Sequence, residues 1–426
     1  MECRWSCRRK LSRALASVRH KTSSRTSITN LTEEEHELLE TNQKIPCLRW
    51  NPNKAFQFEP SDIEIQSKKC FATTSDGAGT LFVGKFQRTS YVSVKVFDLD
   101  SYRDISFFIE EVLLMRQFSH PNLLQCFGSF VRGSELMVVL PLVVYGSVKD
   151  LLSARFQYGF SESMCAAVLS DVLSALEYLH SRGYIHRSLK ASHLLISGNG
   201  KVILTGLGDA FNCIKGGEMR VKAYELPRMA KCSFPWLSPE VLAQNLQGYC
   251  KKSDIYSVGI LACELANGNP PFSGVAFTEL LLMKLTGTFN PRLHDSTTTA
   301  EFTYELETTT HDAVPADSGV FESMQPLAGQ CQSREQSAAK RTFSDDFHEF
   351  VAVCVQRDII VRPTASQLKK HSFFNVNRKY MNSFKEALSL VQPLVSLTHE
   401  NDTSLLESIS PDLEEQISEY PEWDFD

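Results

Sequence analysis

The sequence lacks the long apolar run that a helix needs to span a membrane. Its longest apolar stretch, residues 136–144, is less than half of the roughly 20 residues required, and it contains Pro141. A strong charge imbalance is also missing, because the formal net charge is -6. We therefore expect neither membrane insertion nor a nucleic-acid partner.

Paired cysteines are missing as well. The 12 cysteines are spread from Cys3 to Cys354 and never take the C-x-x-C spacing. Disulfide frameworks and zinc sites need closer pairing, so this distribution argues against both and indicates a reducing, intracellular environment. Hydrophobic residues make up 42% of the chain and charged residues 22%, values typical of a globular protein with a buried core.

The chain begins with an extension, residues 1–62, that precedes the first strand patterns. Up to position 25 this extension is basic and serine-rich, with Glu2 as its only acidic residue. Such a stretch fits either an organelle-targeting segment or a solvated extension, and we favour an extension that is largely disordered. Residues 31–39 have the composition of a short acidic helix.

The central domain, residues 63–375, changes from strand patterns to helix patterns along its length. Runs rich in Val, Phe and Ile predict strands at residues 81–86, 91–97 and 136–144, the last buried on both faces. Apolar residues at helical spacing predict helices at residues 105–116, 161–181, 254–266 and 347–356. This order predicts an α+β fold with a small β-rich lobe and a larger helical lobe. Residues 291–340, poor in periodic apolar content, predict a flexible insertion, and residues 376–426 form a tail.

A lysine and a glutamate in the predicted small lobe form the first chemical signature. Lys95 ends the run V-S-V-K, and Glu111 lies in the helix predicted after it. In protein kinases a strand lysine and a helix glutamate form a pair that orients the lysine toward nucleotide phosphates. A strand lysine alone is usually a solvated surface charge, but the two residues together favour a retained ion pair.

The second signature has the frame of a kinase catalytic loop with two functional residues replaced. Residues 186–193 read H-R-S-L-K-A-S-H and match the motif H-R-D-L-x-x-x-N. Ser188 stands at the position of the aspartate that accepts the substrate proton, and an uncharged hydroxyl is a poor base. His193 stands at the position of a magnesium ligand. Imidazole suits softer metals, so we interpret His193 as structural.

The third signature lacks the other magnesium ligand. Residues 204–208 read L-T-G-L-G where kinases have L-x-D-F-G, which places Gly206 at the aspartate position. With both ligands replaced, we expect no metal site and no phosphoryl transfer, and we assign no catalytic residue.

The motifs that brace the large lobe of kinases are retained. They are S-P-E at residues 238–240, S-D-I-Y-S-V-G at residues 253–259, and Arg362 followed by Pro363. From them we predict a buried ion pair between Glu240 and Arg362. The sequence thus combines an intact scaffold with a degraded catalytic site.

The glycine-rich loop is the weakest match. Thr74, Asp76 and Gly79 occupy its three glycine positions, and the carboxylate of Asp76 would repel phosphates unless the loop shifts so that Gly77 replaces it. The stretch is equally consistent with an ordinary β-turn. Nucleotide binding therefore stays open on the residues alone.

In residues 186–197, 235–242 and 253–260, and in Y-G-S at residues 145–147, the sequence resembles the STE20-related adaptor (STRAD) pseudokinases. The resemblance spans residues 63–375. The segment W-D-F at residues 423–425 resembles the Trp-Glu-Phe tail of that family, with Asp424 in place of glutamate and one further residue at the end.

The resemblance implies a closed, active-like pseudokinase that activates another kinase by docking on it. The implied partners are a Ser/Thr kinase of the liver kinase B type and a helical-repeat scaffold of the mouse protein twenty-five type. Trp423 and Phe425 would bind the scaffold, and the complex would favour a cytoplasmic location for the kinase. We expect the chain itself in cytoplasm and nucleus.

The resemblance to kinases also implies an ATP site, here without a requirement for magnesium. Its expected residues are Gly77, Gly79, Leu81, Lys95, Glu111 and Leu195. Lys95 departs from the adaptor family, whose members commonly lack this lysine. Two alternatives therefore stay open: a divergent active Ser/Thr kinase that uses Lys95, and an interaction module that binds no nucleotide.

Overall fold

The fold is described by a computed structural model that covers most of the central domain. The described residues are 63–65, 72–73, 79–86, 90–101, 106–143, 145–215, 218–219, 222–244, 247–289, 291–295, 341–377 and 388. The predicted N-terminal extension with its short helix, most of the insertion and nearly all of the tail lie outside these residues. Leu293 and Asp295, at the start of the predicted insertion, are buried, so the packed chain continues to Asp295.

The first lobe is built on an antiparallel sheet. The strands β1 (Ile63–Ile65), β3 (Thr80–Phe86), β4 (Ser90–Asp98), β6 (Glu135–Pro141) and β5 (Gly128–Arg132) lie side by side in that order, and β2 (Ala72–Thr73) pairs with β3. The strands predicted at residues 81–86 and 91–97 are confirmed to within one residue at each end.

The strand predicted at residues 136–144 is present but shorter. It is β6, which ends at Pro141, because proline has no backbone N–H with which to continue the ladder. Residues 136–140 are all buried, which confirms the prediction of burial on both faces.

The alternation of side chains along β4 directs Lys95 toward a helix. Val92, Val94 and Val96 belong to a small cluster within the sheet lobe. Phe97 belongs to the main core together with residues of helix α1 (Ser106–Gln117). Because successive side chains of a strand point to opposite faces, Lys95 shares the face of Phe97 and not that of the valines.

The second lobe is mainly helical. Its helices are α2 (Val148–Arg155), α3 (Glu162–Ser181), α4 (Ala230–Ser233), α5 (Pro239–Leu242), α6 (Lys252–Asn267), α7 (Phe277–Thr286), α8 (Asp345–Cys354), α9 (Ala365–Leu368) and α10 (Ser372–Asn377). Short antiparallel strand pairs accompany them: β7 (Tyr184–Ile185) with β10 (Phe211–Asn212), β8 (Leu194–Ile196) with β9 (Val202–Leu204), and β11 (Ile214–Lys215) with β12 (Glu218–Met219). The predicted helices are confirmed as α1, α3, α6 and α8.

The core of the second lobe lies along α3 and α6. Every residue of α6 from Ser253 to Ala266 is buried, which is possible because α8 packs closely against it. A Cβ atom at Gly259 would lie 2.6 Å from Cγ1 of Val355 and 2.8 Å from Cβ of Cys354, so the close approach requires glycine. Among the described residues, no helix has the length and apolar character needed to cross a bilayer. The observed architecture confirms the predicted two-lobed α+β fold.

Arg362 and Glu240 form the predicted buried ion pair. Nη1 of Arg362 lies 2.5 Å from Oε1 of Glu240 and Nη2 lies 2.9 Å from Oε2, and the two side chains are 0% and 9% exposed. The guanidinium also lies 5.2 Å from the ring centre of Tyr256. The pair joins the chain before α9 to the start of α5.

We predict that Arg362→Ala lowers the free energy of unfolding by about 3–5 kcal/mol, because the carboxylate of Glu240 stays buried without a counter-charge. Urea denaturation followed by circular dichroism measures the change. Arg132→Ala is the matched control, since Arg132 and Glu135 form an exposed pair at 3.7 Å, which contributes little. An Arg362→Ala protein with the stability of the control would contradict the prediction.

Candidate functional site

The cleft side of the first lobe carries the predicted lysine–glutamate pair. Nζ of Lys95, on β4, lies 3.2 Å from Oε2 of Glu111, on α1, and the side chains are 13% and 7% exposed. The ammonium also lies 4.6 Å from the ring centre of Phe97, which adds a cation–π contact. The ion pair is therefore present, and it fixes α1 close to the sheet.

Gly79 and Leu81 lie beside this pair. Leu81 is the register partner of Lys95 across β3 and β4. A Cβ atom at Gly79 would lie 3.0 Å from the ring of Phe97 and 3.3 Å from Cε of Lys95, so the chain passes directly over the lysine. Two predicted nucleotide residues remain apart from this group: Leu195 lies on β8 of the second lobe, opposite Ser147, and Gly77 lies outside the described residues.

The catalytic-loop residue Ser188 contacts helix α4 of the second lobe. Its hydroxyl lies 2.9 Å from the hydroxyl of Ser233, at the end of α4, and the two residues are 2% and 0% exposed. Nζ of the neighbouring Lys190 donates to the carbonyl of Cys232 at 3.0 Å. These contacts tie the loop to α4 and occupy the hydroxyl at the position where a kinase needs a base.

His193 and Gly206 fit together sterically. The ring of His193 donates from Nδ1 to the carbonyl of Ser188 at 2.7 Å. Gly206 has a left-handed backbone with φ 80°, and a Cβ atom there would lie 2.4 Å from Nδ1 of His193. The imidazole thus fills the volume that any side chain at position 206 would need.

The His193 ring is also uncharged. Burial, with the nearby charge of Lys190, holds the pKa of His193 well below its ordinary value. A neutral ring whose Nδ1 hydrogen is committed to a carbonyl keeps its place without a metal. This agrees with the interpretation of His193 as structural.

Asp209, three residues after Gly206, is the nearest carboxylate along the chain, and the sequence reasoning gave it no role. Its Oδ1 accepts from the backbone N–H of Met229 at 3.2 Å, and burial raises its pKa. The carboxylate therefore anchors the segment before α4. Among the described residues, no group of three or more His, Cys, Asp or Glu side chains is arranged to hold a metal ion.

Glu264 was also missed by the sequence reasoning, although it joins two loops of the site. Its Oε2 accepts from the backbone N–H of Ala191 at 3.0 Å and from Nε1 of Trp236 at 2.8 Å. Burial raises the pKa of Glu264 to about 7. A glutamate within an apolar helix gives no local signal of this role, because both donors lie far away in the sequence.

Fold and site together define a protein with the two-lobed kinase architecture, in which the bracing contacts and the lysine–glutamate pair are kept. Residues 77–374 match the family described as protein kinase domain. The chain is 40% identical to STE20-related kinase adapter protein alpha of Bos taurus over 354 residues, which cover 81% of this chain and 93% of the relative. It therefore belongs to the STE20-related adaptor family, as the sequence resemblance indicated.

Other members of the family show the same level of similarity. STE20-related kinase adapter protein alpha of Homo sapiens is 40% identical over 357 residues, which cover 81% of each chain. STE20-related kinase adapter protein beta of Mus musculus is 36% identical over 343 residues, which cover 78% of this chain and 80% of the relative. The similarity extends over most of the length of both paralogues.

We predict that Gly206→Asp, which would restore the kinase residue, destabilises the protein by about 1–3 kcal/mol, because the new side chain overlaps the ring of His193. Adding His193→Asn should recover part of the loss by clearing that space. Thermal denaturation of the single and double variants measures both effects. Gly198→Asp is the control, since a Cβ atom at Gly198 meets nothing within 4 Å. A Gly206→Asp protein as stable as the Gly198→Asp control would refute the steric explanation.

Proposed function

We propose that this chain is a catalytically inactive pseudokinase adaptor. It binds a Ser/Thr kinase of the liver kinase B type, together with a helical-repeat scaffold of the mouse protein twenty-five type, and activates that kinase allosterically. The observation that carries the proposal is the packing of His193 against Gly206, because it replaces the magnesium-binding corner of a kinase with a neutral ring while the surrounding fold stays intact. The relatives are named kinase adapter proteins, which supports the same proposal.

We infer that the chain does not transfer phosphoryl groups, because the negatively charged side chains that this reaction needs are missing. A kinase needs a carboxylate to accept the substrate proton and oxygen ligands to hold magnesium on the phosphates. The hydroxyl of Ser188 is uncharged and faces Ser233, and Gly206 offers no side chain. The divergent-kinase alternative draws on the intact pair of Lys95 and Glu111. That pair orients phosphates but supplies neither a base nor a metal ligand, so we favour the adaptor.

The ion pair of Lys95 and Glu111 is the feature of the cleft that supports nucleotide binding. We propose that ATP binds in the cleft without requiring magnesium and that Lys95 contacts its phosphates. Gly79, Leu81 and Glu111 lie on the same side of the cleft, and Gly77 and Leu195 complete the proposed set. Bound ATP would hold the two lobes together and so stabilise the closed shape that docks on the client kinase.

The tail and the location of the chain are proposed from the sequence, since residues 423–425 lie outside the described part. Trp423 and Phe425, two aromatic residues in an acidic tail, would anchor the scaffold, because buried aromatic side chains dominate many interfaces. The assembled complex would act in the cytoplasm, and the free chain would also be found in the nucleus.

We expect the purified full-length chain to capture both a liver-kinase-B-type client and the scaffold, and to raise the activity of the client on its own peptide substrate. Trp423→Ala should weaken scaffold binding by about 2 kcal/mol or more, as expected for a hot-spot residue. Tyr158→Ala, a change at an exposed aromatic residue of the second lobe, serves as the control. Failure to bind the client, with or without scaffold, would reject the adaptor function, and an unchanged dissociation constant for Trp423→Ala would reject the tail assignment.

We further expect ATP to raise the thermal midpoint equally with magnesium and with a chelator, because the proposed site holds nucleotide without metal. Lys95→Met should abolish the rise, since it removes the ammonium that faces the phosphates. Lys85→Met, on the neighbouring strand β3, is the control. No rise in the wild-type protein would favour an interaction module without nucleotide, whereas a rise only with magnesium would favour the divergent kinase.

A further inference from the structure

The arginine of the catalytic loop donates to three uncharged oxygen atoms. Arg187 has a left-handed backbone with φ 65° and is almost fully buried. Its Nε donates to the carbonyl of Asp209 at 2.6 Å, and its Nη1 donates to the carbonyl of Glu225 at 3.0 Å and to the hydroxyl of Tyr249 at 2.9 Å. The guanidinium also lies 5.2 Å from the ring centre of Phe211.

Tyr249 holds the same stretch of chain from the other side. Its hydroxyl donates to the carbonyl of Glu225, and it exchanges two backbone hydrogen bonds with Ala223, at 2.7 and 2.8 Å. Tyr249 is 2% exposed, and burial raises its pKa. We call Arg187, Tyr249 and the carbonyl of Glu225 the latch.

The latch binds residues of the activation loop, a segment that kinases commonly order by phosphorylation. In many kinases a phosphate on the activation loop pairs with arginine and so fixes the loop. Here residues 206–236 contain no threonine, and their hydroxyl-bearing residues are Tyr224 and Ser233. Ser233 is fully buried against Ser188, so it is inaccessible to a modifying enzyme in this conformation.

Further contacts hold the same segment without phosphate. The backbone N–H of Met229 donates to the carboxylate of Asp209, and Arg228 pairs with Glu110 of α1 at 3.2 Å. The second pair is exposed and contributes little by itself. The buried latch is therefore the main candidate for what fixes residues 223–229.

We propose that the latch orders residues 223–229 in place of a phosphate, so that the segment keeps its shape without any phosphorylation. Arg187 and Tyr249 act as positioning residues: a buried guanidinium and a phenol share one carbonyl, and the charge-assisted bonds do the work of an arginine–phosphate pair. This inference is independent of the partners proposed above, because it concerns the free chain.

Hydrogen exchange of the full-length chain, read by mass spectrometry, tests the proposal. Tyr249→Phe keeps the ring but removes the hydroxyl that accepts from Arg187 and donates to the carbonyl of Glu225. We expect the amides of residues 223–229 to exchange about tenfold faster or more, because losing the hydrogen bond from the charged guanidinium alone has about that effect. Peptides from α6 should be unaffected. Tyr224→Phe is the matched control, because it removes an exposed hydroxyl one residue from Glu225 and should leave exchange unchanged.

A second experiment measures hydrogen exchange of the wild-type chain after phosphatase treatment. After removal of all phosphate, as verified by intact mass, residues 223–229 should remain protected to the same degree. Protection that depends on phosphate, or that is lost in Tyr224→Phe, would overturn the proposal. Wild-type protection in Tyr249→Phe would overturn it too, and a uniform rise that includes α6 would show a general loss of stability rather than a local latch.

Discussion

The shape of the catalytic loop depends on the buried carboxylate of Asp254. This side chain, at the start of α6, accepts from the backbone N–H of His186 at 2.8 Å, from that of Arg187 at 2.9 Å and from Nε2 of His180 at 2.8 Å. Desolvation alone would raise the pKa of Asp254, but the hydrogen bonds, led by that from His180, lower it. The carboxylate thus stays charged in a fully buried position, and it fixes the unusual backbone of Arg187.

Because the loop is held through its backbone, its reactive side chains can change without loss of shape. Ser188 and His193 follow the anchored residues and pack inward, one on Ser233 and the other on Gly206. Ser188 and Gly206 stand where kinases have aspartates, so neither position carries a negative charge in this chain. Lys95 and Lys190 remain. This charge distribution agrees with our proposal that nucleotide is held without magnesium, and the preserved shape agrees with the proposed docking on another protein.

Much of this arrangement could be predicted from the sequence. The strands around Lys95, the long helices of the second lobe and both ion pairs follow from periodicity and from motifs with fixed roles. Other features could not be predicted, because they join residues distant in the chain whose types carry no local signal. The contact of Glu264 with Trp236 and the grip of Tyr249 on Glu225 are of this kind. The packing of the His193 ring into the space beside Gly206 could not be predicted either, since the motif shows two separate replacements and not their mutual fit.

We propose that this fold has kept the kinase scaffold and lost the chemistry of phosphoryl transfer. The most direct measurement is transfer of labelled phosphate from ATP, with magnesium or manganese, to the chain itself and to a mixed peptide library. The account predicts no transfer above that of the Lys95→Met protein. Transfer that depends on Lys95 and reaches ordinary kinase rates of about 1–100 s⁻¹ would contradict it.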